Sequence, residues 1–75
     1  VTDPVPPHRA AFGARVRELR NRHGWSQEDF AHRAKLDRTY VSGIERGQRN
    51  PTLDLIYRLA QTLGVPAADL LTDGS

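Results

Sequence analysis

An all-α fold of five short helices is predicted by three features of the chain. Apolar residues recur at three- and four-residue spacing in successive segments. Residues that start helices (Ser26, Asp37, Thr52) and residues that stop them (Gly24, Gly47, Gly64) bracket those segments. Two of the stripes, Phe30–Ala31–Ala34 and Val41–Ile44, are separated only by a short bend at Leu36, which is the pattern of a helix-turn-helix.

Val1–Pro7, VTDPVPP, holds three of the five prolines and no helical pattern, so residues 1–7 are expected to form a flexible arm. Because the arm has no basic residue, a disordered end is expected there rather than a segment that reaches an anionic partner. Pro7 can open the first helix, where its missing N–H costs nothing. Helix one is expected from His8 to His23, with Phe12, Val16, Leu19 and His23 facing the core and Arg9, Arg15, Arg17 and Arg22 mostly outward. Arg20 falls beside Leu19 on the inner side, where an unpaired guanidinium would be costly. Gly24 ends that helix in a left-handed conformation. Trp25 is read as a core plug rather than a ligand platform.

Ser26 caps helix two, and Asp29, three residues on, completes a shortened capping box. Ala31 must be small because the two helices cross tightly. Asp37 caps helix three, Gly47 stops it, and Thr52 caps helix four, whose stripe is Leu53, Ile56, Leu59, Ala60 and Leu63. Pro66 starts a short fifth helix, PAADLL. Val65, Leu70 and Leu71 are more apolar surface than that helix needs to close the core. Some of it, with Tyr57 or Ala67, is therefore expected to form a two-fold dimer contact. Residues 72–75, TDGS, are expected to be a disordered tail.

The outer face of helix three carries Arg38, Thr39, Ser42 and Gly43, with Tyr40 beside them. Arginine can pair bidentately with a guanine edge, threonine can meet a thymine methyl, and a helix matches the width of the major groove. Arg38 is the first candidate for base reading, with a phosphate contact as the alternative; Thr39 and Ser42 suit shorter contacts to base or phosphate. Tyr40 has two readings, a sugar or phosphate contact or a half-buried ring packed under the helix. A glycine in mid-helix is unfavourable, so Gly43 is read as a clearance residue, either for close approach to base edges or for a neighbouring side chain. Arg46, Arg49 and Asn50 follow, where the loop would run along a sugar-phosphate backbone. Charge agrees: Arg9–Arg49 holds ten basic and five acidic side chains, a balance of +5, whereas residues 50–75 carry one basic and three acidic ones.

The runs SQEDFAHRA, LDRTYVSGIERGQRNPT and LIYRLAQTLGV resemble the phage lambda repressor-like, or Cro/XRE-type, helix-turn-helix family, and RTYVSGIERGQRN looks most like the small controller proteins of restriction–modification systems. The resemblance spans about Phe12 to Leu71, within a domain placed at residues 8–71. It implies a compact five-helix DNA-binding domain and a transcriptional regulator that grips double-stranded DNA as a homodimer, its recognition helices ~34 Å apart. It further implies a salt bridge between Arg20 and Glu45, a phosphate contact by Gln27 with Ser26 beside it, and DNA contacts by Arg49 and Asn50. Controller-type likeness places Tyr40 at the interface. The chain departs from the family at Lys35, where many members have glycine. Lys35 must either accept a left-handed conformation or shift the bend.

Seventy-five residues without cysteine allow one small core and no thiolate zinc site or disulfide. His8, His23 and His32 lack metal-site spacing, and no phosphate loop, nucleophile elbow or triad is present. No enzymatic activity, metal, cofactor or small-molecule ligand is therefore expected. No apolar run reaches the ~20 residues of a membrane span, and no charged leader precedes a hydrophobic region. A soluble, cytoplasmic, nucleoid-associated protein is expected. The competing reading is a protein-interaction module, an antitoxin or adaptor subunit built on the same fold, which would bind a partner through the surface near Tyr57 and Leu71.

Overall fold

The computed structural model describes residues 4–72, so Val1–Asp3 of the expected arm and Asp73–Ser75 of the expected tail lie outside the described residues. Five helices follow one another: α1 (Pro7–Arg22), α2 (Gln27–Ala34), α3 (Arg38–Glu45), α4 (Leu53–Leu63) and α5 (Ala67–Leu70), with no strand among the described residues. Pro7 opens α1 without a side-chain cap. The next three helices are capped in the same way. The Ser26 hydroxyl accepts the Asp29 N–H at 3.0 Å while the Asp29 carboxylate accepts the Ser26 N–H at 3.3 Å, and Asp37 and Thr52 accept the N–H groups of Thr39 and Leu55. Each cap satisfies a donor that the first helical turn leaves without a partner.

The four longer helices also end alike. A residue in the left-handed region lets two N–H groups fold back onto the last turn, as in α3, where Gly47 donates to the Ile44 carbonyl at 3.0 Å and Gln48 to that of Gly43 at 2.8 Å. At three of these ends the left-handed residue is glycine; after α2 it is Lys35, at φ 59° and ψ 46°. The bend therefore takes the left-handed conformation with a lysine in it. Leu36 then donates to the Ala31 carbonyl at 2.8 Å, which locks the turn that aims α3.

Phe12, Val16 and Leu19 of α1, Phe30, Ala31 and Ala34 of α2, Val41 and Ile44 of α3, and Leu59, Ala60 and Leu63 of α4 form one continuous core, closed by Leu70. Gly13 lets α1 approach α3: a Cβ there would overlap the Ile44 carbonyl oxygen and lie 2.7 Å from that of Glu45. Nothing in the apolar spacing singled out this glycine. Its one sequence signal is its place next to Phe12 and three residues before Val16, on the inner side of α1.

Several expectations are corrected. His23 is exposed rather than buried because it follows the last turn of α1; its ring stacks on Trp25 at 4.0 Å and its Nε2 donates to the Leu63 carbonyl at 2.8 Å. Leu53 is 65 % exposed, since the first residue of α4 projects beyond the core that Leu59 and Leu63 fill. Leu70, expected at a dimer contact, is fully buried in the chain's own core because α5 folds back over α1 and α4. Arg9 and Arg15 are half-buried rather than outward, and Arg15 ties α1 to α5 by donating to the Asp69 carbonyl at 3.0 Å. Trp25 is half-buried, held between His23, Phe30 and the Arg33 guanidinium, which lies 4.5 Å from its ring centre. Val5, within the expected arm, lies against Gly47, and the Thr72 hydroxyl donates back to Ala68 at 3.0 Å.

Candidate nucleic-acid interface

The outer face of α3 is exposed at Arg38, Thr39 and Arg46 and half-exposed at Ser42, while Val41 and Ile44 hold the opposite face in the core. This division follows from 100° per residue: inward side chains at 41, 44 and 45 leave 39, 42, 43 and 46 pointing away. Asp37 fixes where the helix begins by accepting the Thr39 N–H at 2.7 Å. That bond, helped by the nearby Arg38 charge, holds the Asp37 carboxyl below the usual aspartate range.

Glu45, at the inner edge of α3, is the hub of a hydrogen-bonded chain. Its side chain is only 4 % exposed and accepts from Arg20 Nε at 2.6 Å and Nη2 at 3.0 Å, the bidentate geometry that suits guanidinium and carboxylate. Arg20 Nη1 donates to the Trp25 carbonyl at 2.8 Å, so this nearly buried cation is satisfied on three sides. The third donor to Glu45 is Gln27 Nε2 at 3.0 Å, and Gln27 Oε1 in turn accepts from Arg38 Nη1 at 3.3 Å. A continuous relay thus runs from the core ion pair through the start of α2 to the first residue of α3. Gln27 is half-buried, and both ends of its amide are engaged within the protein.

The other edge of α3 is arranged differently. Tyr40 is half-buried against the core, and the Arg49 guanidinium lies 5.0 Å from its ring centre. Gly43, expected on the outer face, is covered: a Cβ there would sit 2.9 Å from Arg49 Cγ and Nε. Of the two readings of Gly43, room for a neighbouring side chain is the one the geometry matches. Arg46 folds back along the helix, its Nε donating to the Ser42 carbonyl at 3.3 Å, and Asn50 is exposed in the loop beyond. Of the residues expected at a dimer contact, Tyr57 and Leu71 are exposed and Ala67 is half-buried; Leu70 is not available.

A profile of helix-turn-helix proteins matches residues 16–70, well over half of the chain. The chain belongs to the Cro/XRE-type helix-turn-helix family. Its relatives in this family include the control protein C.BamHI of Bacillus amyloliquefaciens, 47 % identical over 84 % of this chain and 79 % of that one. Among solved structures, the restriction–modification controller protein C.AhdI of Aeromonas hydrophila superposes with a TM-score of 0.78 at 49 % identity, covering 81 % of this chain and 92 % of that one. A hypothetical transcription factor from Neisseria superposes with a TM-score of 0.84 at 40 % identity, over 96 % and 86 % of the two chains. This helix-turn-helix protein is a DNA-binding transcriptional regulator, and the family is one of regulators rather than enzymes. Among its described residues no helix is long and apolar enough to cross a membrane.

Sequence reasoning named Arg38, Gln27 and Arg49 separately but did not find the two assemblies they join. The Gln27–Glu45 and Gln27–Arg38 bonds depend on how α2 and α3 cross, which spacing within either helix does not encode.

Proposed function

We propose that this regulator binds a pseudo-palindromic operator in double-stranded DNA as a homodimer, with α3 of each subunit in the major groove. The observation that carries the reading is the tether on Arg38. An exposed arginine at the first turn of the recognition helix is held by Gln27, itself anchored on a nearly buried ion pair. A base-reading side chain restrained before binding has less freedom to lose on contact. Arg38 reads a guanine by its two-pronged edge, and Thr39 and Ser42 make shorter contacts. Ser26 and Gln27 at the N-terminus of α2, together with Tyr40, Arg46 and Asn50, line the phosphate path and supply most of the affinity, and Arg49 meets the DNA from the same loop as Asn50.

Dimer formation is supported by the apolar side chains left outside the core. Leu53, Tyr57 and Leu71 are each 60 % exposed or more, and clusters of such groups mark association surfaces. Resemblance to C.BamHI and C.AhdI, both controllers by name, supports a role in controlling a small set of genes in the cytoplasm by occupancy of the operator. Selection of bound duplexes from a random pool, followed by sedimentation of the complex, tests the reading. The expected result is a two-fold symmetric consensus with half-sites about one helical turn apart, bound by two protein chains. A single unpaired half-site bound by one chain would overturn the dimer, and a pool without enrichment would overturn the operator.

A further inference from the structure

We propose that Gly43 is a specificity-determining residue, acting through Arg49: the missing side chain makes a seat in which the loop arginine lies across the edge of α3 and presents a second guanidinium to base edges at a fixed place. This assignment rests on the operator reading above and adds a residue and a role to it.

Three features of the structure converge on the seat. The Arg49 guanidinium lies over the Tyr40 ring, its carbon 5.0 Å from the ring centre. Its aliphatic stem crosses Gly43 so closely that a Cβ would come within 2.9 Å of Cγ and Nε and 3.4 Å of Cδ. The loop backbone is pinned at the same place, because Gln48 donates its N–H to the Gly43 carbonyl at 2.8 Å. Contact with the ring commits none of the N–H groups; among the described residues Arg49 donates no side-chain hydrogen bond within the protein. Those groups are the part that reads guanine. Tyr40 and Gly43 lie three residues apart on one side of α3, next to Thr39 and Ser42, so the seated arginine borders the face that enters the groove.

Gly43 is also the position where recognition and stability part. Glycine in mid-helix is less favourable than alanine. The atoms a Cβ would meet belong to a flexible side chain, not to backbone, so Gly43→Ala displaces Arg49 and little else. The Arg49 side chain, once unseated, must be ordered when DNA binds, and its contact is correspondingly weaker.

The test compares wild type, Gly43→Ala, Arg49→Ala, the double variant and Arg49→Lys on the duplex that wild type selects from a random pool, with melting temperature, affinity at fixed salt and base preference measured for each. Gly43→Ala is expected to melt at or above the wild-type temperature, to lose about tenfold in affinity, and to lose base preference at the same position as Arg49→Ala. The double variant should bind no more weakly than Arg49→Ala alone. Arg49→Lys, which keeps the charge without the planar fork, should retain the salt dependence and lose the preference. An unaltered Gly43→Ala overturns the assignment while leaving the operator reading in place. An equal loss from Gly43→Ala in the Arg49→Ala background also overturns it, because glycine would then serve only as clearance for DNA. A wild-type protein that enriches no sequence removes the operator reading and this assignment with it.

Discussion

Arg38 and Arg49 border the same helix on opposite edges, about 200° apart when Arg49 is placed by its partner Tyr40, and they are held by different means. Arg38 is held by hydrogen bonds, through Gln27 to Glu45 and Arg20. Arg49 is held by shape, over an aromatic ring and a residue with no side chain. The first edge is therefore sensitive to removal of groups, some of them far from the surface. The second is sensitive to addition of a single carbon. Hydrogen bonds carry the state of the core outward to Arg38, whereas among the described residues no side-chain hydrogen bond links Arg49 to the ion pair.

The most severe way to break this contrast is Arg20→Met. It leaves Glu45 nearly buried with Gln27 as its remaining side-chain donor, and removing one member of such a pair costs roughly 3–5 kcal/mol. Urea unfolding measures that loss, and a change below about 1 kcal/mol would mean that Glu45 finds another partner and that the relay is not anchored. Arg38→Ala comes next. The side chain is exposed, so stability should hardly change, while base preference at one operator position relaxes by ~1–3 kcal/mol. If the variant selects the same consensus as wild type, Arg38 touches only phosphate and the bonded edge has no reading role.

The elements were legible in the sequence where local chemistry determines them. Ser26 with Asp29, Asp37 and Thr52 each sit where a short polar side chain can bond the first turn of a helix, and each does so. What escaped depends on how helices cross. Gly13 is a contact between α1 and α3, Gly43 a contact between α3 and the loop after it, and Leu70 turned inward because α5 folds back. Lys35 lies between these cases: sequence marked it as anomalous, and only the backbone shows that it adopts the left-handed conformation. Since that turn aims α3, Lys35→Gly should relax both edges equally. Relief of the left-handed cost, less glycine's entropy, should raise stability by about 1 kcal/mol, visible as a higher urea midpoint with base preference unchanged. A lower midpoint would show that the lysine side chain contributes more than its backbone costs.

The smallest expected effect concerns acid. The bonded edge begins at a titratable cap, Asp37, while the shape-held edge ends at Gly47, which has no ionisable side chain. Asp37 is held below the ordinary aspartate range chiefly because it accepts the Thr39 N–H, with Arg38 adding a weaker pull. A carboxyl whose folded value is depressed binds its proton more readily in the unfolded chain. Its contribution is therefore complete above about pH 3.9, the ordinary value, and is lost as pH falls through the depressed one. Asp37→Asn keeps a capping oxygen but cannot titrate. Glu18, likewise lowered first by its bond to Arg15 and then by Arg22, is common to both proteins and cancels. Wild type should thus exceed the variant in stability at neutral pH, and the gap should close in strong acid. A gap that stays constant with pH would show that the charge on Asp37 contributes nothing and that the cap works through its hydrogen bond alone.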